Sequence, residues 1–286
     1  MAPVNTIQKG NLKALFHNGE LVSFSNGPTE FMHGGGKIAA TKTDADKKGW
    51  QHSELLMFPI AGPADDFMYQ LDSTTSPMDQ HGASRYLPFV VRTSSVNSIS
   101  FVQEYTADTP VLNGKYQPDN GKPQFISMPA SYRLEKTFTL EEDRLVVDIS
   151  ITNTSDKTIP YMLGWHPAFK VIGDPKAGKL VAPDAEVSLE HILNAKTRGE
   201  DAEKIEGASS MMYLNEDLGI SLEVSTTGFR HMMLWSPSPD SGMFCIEPLT
   251  RLPPYRRNSS ENIDYIDPGQ SVKYQVVITP TPRNAP

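Results

Sequence analysis

Cysteine is almost absent from this chain. Cys245 is the only one in 286 residues, so no disulfide can close within it. Between Phe244 and Ile246 it reads as a buried apolar filler, with a reactive thiol as the sharper alternative. Positive charge is also in deficit. Lys and Arg number 26 against 34 Asp and Glu, and the formal net charge of −8 argues against nucleic-acid backbones and anionic membranes as partners. No apolar run approaches the ~18 residues of a spanning helix. The opening MAPVNTIQKGNLKALF has neither a basic start nor an apolar stretch leading to a small-residue cleavage site. A cytoplasmic, reducing setting is therefore expected, which would leave the sequons at Asn153 and Asn258 incidental.

Several chemical signatures are missing too. His17, His33, His52, His191 and His231 show no ligand spacing such as H-E-x-x-H, and Cys245 has no partner thiol, so no metal site is expected. Gly34-Gly35-Gly36 lacks the strand-to-helix context and the lysine of a phosphate loop, and reads as flexible. A G-x-S-x-G elbow is absent, which excludes the common esterase arrangement. There is no fixed-period repeat and no Pro/Ser-rich linker dividing the chain. No helical stripe runs for three turns.

What the chain does have is period two. Leu145, Val147, Ile149 and Ile151 alternate with Val146, Asp148 and Ser150, and Val272, Tyr274, Val276 and Ile278 repeat the pattern after the turn Asp267-Pro268-Gly269. Tyr132–Leu140 joins the first of these through Glu141-Glu142-Asp143 as a hairpin. Further strands are expected at Leu12–Phe16, Leu21–Ser25, Leu55–Ile60, Ser98–Tyr105, Tyr161–Phe169, Ile220–Val224, His231–Trp235 and Met243–Pro248. Asp184–Ala195 fits a short helix or a strand equally. Long polar insertions lie at Gly34–Gly49 and Ala107–Lys122. With 20 Gly and 23 Pro available for turns, the reading is one all-β domain over residues 1–286, a large antiparallel β-sandwich. A fold of this size buries about three-quarters of its extended-chain surface and needs no disulfide or metal to hold it.

Three segments carry the chemistry: QHGASR (Gln80–Arg85), GWHPAF (Gly164–Phe169) and CIEPLT (Cys245–Thr250). Glu247 lies in an apolar run with no adjacent cation, where desolvation would raise its carboxyl toward the range of a general base. Pairing with an Arg across a sheet is the plain alternative. Pro248 suits an edge or mouth position. His166 titrates near neutrality and is flanked by Trp165, a stacking surface for a ring-shaped ligand; a core histidine bonded to a carbonyl is its alternative. Gly82 beside His81 would let a ligand approach the backbone, and Arg85 offers donors for hydroxyls, carboxylate or phosphate, unless the segment is an ordinary surface loop. Arg251, Arg256 and Arg257 form either a solvated loop or an anion-binding rim.

Taken in order, FPIAG (Phe58–Gly62), QHGASR, GWHPAF, the Leu234–Pro248 stretch with LWSP and FCIEP, and the closing DPGQSVKYQVVI resemble the aldose 1-epimerase (galactose mutarotase-like) superfamily, especially its LacX-like bacterial branch. The resemblance spans nearly the whole chain and implies a β-supersandwich holding a monosaccharide on a concave face. By position it implies Glu247 as general base, His166 as general acid and His81 as a sugar-binding histidine. No cofactor is implied, since no electrons move. The chain departs from the family at Pro63, where an Arg is common, with Arg85 as its expected stand-in. Asp240 is the expected counterpart of a sugar-binding Asp, and Leu249-Thr250-Arg251 replaces the usual Trp and Gly. The implied activity is aldose 1-epimerisation by a monomer or homodimer. Hexose-6-phosphate epimerisation, with Arg85 or the Arg251–Arg257 cluster on the phosphate, and a non-catalytic carbohydrate-binding domain stand as alternatives. A glycosidase would need a second well-placed carboxylate.

Overall fold

The computed structural model describes residues 4–34, 54–257 and 261–282. A nine-stranded antiparallel sheet forms its broadest layer, ordered Ala185–Ser188, Gly178–Ala182, Ser210–Asn215, Ile220–Thr227, Ser271–Thr281, Leu145–Asn153, Tyr132–Leu140, Ser98–Tyr105 and Val90–Ser94. Alternation dictates its inner face: Tyr132, Leu134, Lys136, Phe138 and Leu140 are buried while the residues between them are partly exposed. The Phe138 ring packs at 4.7 Å, tilted by 54°, against Phe16 of the N-terminal meander Val4–Glu30, which closes one side of the core.

A second antiparallel sheet carries the order Glu203–Glu206, His231–Trp235, Met243–Leu249, Gly164–Pro167 and Glu54–Met57. Between the two layers lies a fully buried ion pair, Lys136 of the large sheet with Glu54 of the smaller one. Trp165 Nε1 donates to the same carboxylate at 2.9 Å. The all-β sandwich expected from the alternation is the architecture observed.

Local differences have physical causes. The segment expected as one strand over Tyr161–Phe169 is broken into Ile159–Tyr161, Gly164–Pro167 and Phe169–Lys170: Met162 N–H turns to Pro59 O at 2.8 Å, and Pro167 has no N–H to continue its ladder. Asp184–Ala195 contains both alternatives: a strand at Ala185–Ser188, then a helix at Leu189–Asn194 capped by Ser188 Oγ, which accepts from His191 N–H at 3.2 Å. Pro248 is not at an edge, since Met243–Leu249 has neighbours on both sides. The Gly34–Gly49 insertion lies outside the described residues beyond Gly34, as do His52 and Asn258. Among the described residues no helix is long and apolar enough to cross a membrane.

Candidate active site

Strand register decides which side chains meet. Gly164 pairs with Leu249 and Phe169 with Phe244, the same offset at both ends, so His166 stands opposite Glu247. Pro167 and Pro248 lack the N–H groups that would close the ladder between those ends. Opposite residues of an antiparallel pair share a face with Cβ atoms about 4.5–5.5 Å apart. His166 Nε2 accordingly lies 3.5 Å from Glu247 Oε1. On the other flank of the strand Met233 pairs with Glu247 and Trp235 with Cys245, which brings both onto this face. Trp235 meets the His166 ring at 6.0 Å and 73°.

His81 arrives from a different part of the chain. Its backbone φ of 68° is in the left-handed region, uncommon for a residue with a side chain and held only where surroundings over-determine it. Two bonds supply that constraint: Gly62 N–H donates to His81 Nδ1 at 3.1 Å, and His81 N–H donates to Gly62 O at 3.0 Å. On the other side of the ring the Gln80 amide nitrogen lies 3.1 Å from His81 Nε2, so both ring nitrogens are engaged. The ring stands edge-on to His166 at 5.5 Å. The next residue, Gly82, has φ +73°, and a Cβ there would fall 2.1 Å from Phe58 O. It is the Phe58 carbonyl, not a ligand, that occupies the space left by the missing side chain.

Glu247, His166 and His81 line one cavity of about 530 Å³ together with Gln80, Lys115, Lys196, Asp201, Lys204, Met233, Trp235 and Pro253. That volume suits a small-molecule ligand. Burial pushes the Glu247 carboxyl well above the usual carboxylate range, with Asp201 adding to the effect. Neither of its oxygens accepts a hydrogen bond among the described residues. His166 is lowered to about 3, first by burial and then by the charges of Arg85 and Lys115. His81 is also pushed well down, by burial first, then Arg85 and His166. All three shifts favour neutral forms. The shifts favour a Glu247–His166 pair that shares one proton between a carboxyl and an imidazole, an arrangement that can give a proton at one point and take one at another.

Cys245 lies one step along the same face. Its Sγ and one donor atom each from His166 and Glu247 fall within 4.8 Å of one another, a buried trio of metal-ligating types. Arg85 and Lys115 already depress the histidine there, a field that opposes a divalent cation. Burial and then Glu247 also push the Cys245 thiol well up, away from the thiolate a metal would need.

Three side chains expected at the site are elsewhere. Trp165 is completely buried on the opposite face of its strand, since neighbours in a strand point to opposite sides; Trp235 supplies the aromatic wall instead. Arg85 sits in a 3-10 turn, Ser84–Tyr86, with its guanidinium 5.1 Å from the Tyr86 ring and Nη1 reaching Gln80 O at 3.5 Å. It stands behind the cavity wall and acts through its charge. Asp240 is exposed in the turn Pro239–Ser241 that joins two strands, and Asp201 is the second carboxylate of the lining. In the arginine cluster, Arg251 Nη2 pairs with Asp264 at 2.8 Å and Arg257 Nη2 with Asp66 at 3.3 Å, so those charges are spent locally. Lys115, Lys196, Asp201 and Lys204 carried no signal in the sequence beyond the polar insertion holding Lys115.

A family model described as aldose 1-epimerase matches residues 45–198, more than half of the chain. The chromosomal protein LacX of Lactococcus lactis subsp. lactis is 24% identical over 244 residues, covering 73% of this chain and 77% of the relative. Among solved structures, a galactose mutarotase related enzyme from Lactobacillus acidophilus superposes with a TM-score of 0.77 at 16% identity, over 98% of both chains. A galactose mutarotase-like protein from Lactobacillus casei gives 0.75 at 20% identity, over 98% of this chain and 100% of the other. At these identities the two structures establish the shared fold.

Proposed function

The chain belongs to the aldose 1-epimerase family, and from that premise we propose that residues 1–286 act as one unit that interconverts the α and β anomers of an aldose. The observation that carries the reading is the placement of His166 opposite Glu247, 3.5 Å apart, with His81 in the same cavity. Burial favours the neutral form of the pair. Sugar hydroxyls donating to the unsatisfied Glu247 oxygens favour the carboxylate, and the pair's single proton then resides on His166.

From that form Glu247 takes the proton of the anomeric O1 hydroxyl as His166 delivers one to the ring oxygen O5. The C1–O5 bond breaks and C1 becomes an aldehyde. His81, edge-on to His166 in the same cavity, hydrogen-bonds the sugar. Rotation about C1–C2 presents the other face of the carbonyl. On closure His166 recovers the proton from O5 and Glu247 returns one to O1, so the enzyme ends as it began. Each transfer contributes ~10²–10⁴-fold.

Exchange between the anomer resonances of an aldose, measured by magnetisation-transfer NMR, tests the proposal. Wild-type protein should accelerate the exchange, and Glu247→Gln should remove nearly all of the acceleration. Binding of sugars with no acceleration would instead support a carbohydrate-binding domain on this fold.

A further inference from the structure

The cavity is positive although the protein is acidic. Against a formal net charge of −8, its lining among the described residues carries Lys115, Lys196 and Lys204, with Asp201 and Glu247 as the carboxylates, and burial raises Glu247 toward its neutral form. We propose that the aldose this site takes is anionic, bearing a phosphate or carboxylate away from C1, and that Lys115 is its principal anchor with Lys204 and Lys196 at the rim. This rests on the epimerase reading above and narrows it to a substrate class.

The three lysines differ in what they already hold. Lys196 is ion-paired with Asp201. Lys204 Nζ donates to Pro253 O at 3.0 Å, and Lys115 Nζ donates to Gln80 Oε1, both uncharged acceptors. Lys115 is half-buried and is held in place by a buried network. Asn113 Oδ1 accepts Lys115 N–H at 3.0 Å, and Asn113 Nδ2 donates to Asp79 Oδ2 at 2.9 Å and to Pro123 O at 2.9 Å. Asp79 also takes Gln80 N–H at 2.6 Å and the Lys122 ammonium at 2.8 Å. One carboxylate thus fixes both the loop presenting Lys115 and the segment carrying Gln80 and His81.

The cation is placed beside the catalytic histidines at a cost. Burial and the neighbouring Arg85 lower Lys115 to about 8, with Lys122 acting in the same sense and Asp79 and Asp201 against it. Its charge also depresses His81 and His166. A cation desolvated next to another cation and bonded to a neutral amide is relieved by an anionic ligand. A neutral sugar brings no such compensation. Nor does the lining among the described residues offer it a spare carboxylate, because Glu247 is used in chemistry and Asp201 is paired.

The experiment compares D-glucose, glucose 6-phosphate and glucuronate with the full chain, by NMR exchange for kcat/KM and by calorimetry for binding. A charge-assisted contact predicts a preference of ~10-fold or more for an anionic sugar over glucose, weakening with added KCl and above pH 8. Preference for glucose 6-phosphate identifies a phosphate, and preference for glucuronate a carboxylate. Lys115→Met should collapse the ratio of anionic to neutral kcat/KM, and Lys115→Arg should keep it. Equal kcat/KM for all three sugars, or a ratio untouched by Lys115→Met, overturns the proposal. If no sugar is accelerated, the epimerase reading fails by itself, and calorimetry still decides: tighter binding of glucose 6-phosphate or glucuronate than of glucose upholds the anion site, and equal binding sinks it.

Discussion

Lys136→Met isolates the charge that joins the two sheets. Lys136 has no exposed surface and lies in the apolar row of Tyr132–Leu140, its ammonium 4.3 Å from the Phe89 ring and paired with Glu54, which is equally buried. Methionine keeps most of the apolar stem and loses the charge. Glu54 then retains Trp165 Nε1 at 2.9 Å and the weak contact from Leu21 N–H at 3.5 Å, with no cation. Removing one partner of a buried pair costs about 3–5 kcal/mol because the other charge stays desolvated. At ~2–4 °C per kcal/mol for a domain somewhat smaller than this one, the melting temperature should fall by roughly 6–20 °C. The double change Glu54→Gln/Lys136→Met removes both charges and leaves an amide oxygen for Trp165 to donate to, so it should recover most of the loss. Calorimetry and guanidinium unfolding followed by tryptophan fluorescence measure both proteins. A single variant within ~1 kcal/mol of wild type, or a double variant no better than the single, would refute the idea that an uncompensated charge sets the cost.

Glu247→Gln should lower anomer exchange by ~10²–10⁴-fold and at the same time raise stability at alkaline pH. Because burial raises the folded-state value, the carboxyl's contribution to stability is present below the unfolded value of 4.5 and is lost as pH rises through the folded one. The melting-temperature gap between variant and wild type should therefore be wider at pH 8 than at pH 4.5, and a constant gap would contradict the assignment. His166 has the opposite sign: its neutral ring supports the fold above ~6.5 and loses that support as pH falls toward about 3, so His166→Gln should flatten the acid limb of a melting-temperature profile. Trp165→Phe should cost ~1–3 kcal/mol in unfolding experiments with exchange kinetics retained, whereas Trp235→Ala should weaken sugar binding in titrations; the reverse pattern would mean the faces are misassigned. Gly82→Ala, with φ +73° and a Cβ 2.1 Å from Phe58 O, should destabilise by ~1–3 kcal/mol or more and raise KM through displacement of His81.

The strands were legible wherever one face is buried. Ser98–Tyr105, Tyr132–Leu140 and His231–Trp235 are observed with the ends their alternation indicates. The same rule, applied inside Gly164–Pro167, already separates Trp165 from His166, since adjacent residues cannot face one cavity. Chemistry-bearing residues beside Gly or Pro were legible as candidates because an interrupted ladder leaves room for a pocket. Asp240 was not resolvable, because a loop residue's position depends on the turn and not on its distance from Glu247 in the chain. Alternation puts Lys136 on the same face as Leu134 and Phe138, and only the facing sheet supplies Glu54 as its partner.

The sequence by itself determined the β class, the strand faces and the candidate proton-handling residues, because those follow from period two, from turn residues and from side-chain chemistry along a local stretch. Tertiary structure decided everything that depends on register and packing between distant segments. Register set His166 against Glu247, although 81 positions separate them. Burial then favoured neutral forms of both, and the Asp79 network brought Lys115 from a polar insertion to the cavity wall. Desolvation and cross-sheet distance are properties of the assembled layers, so no stretch of the chain read alone contains them.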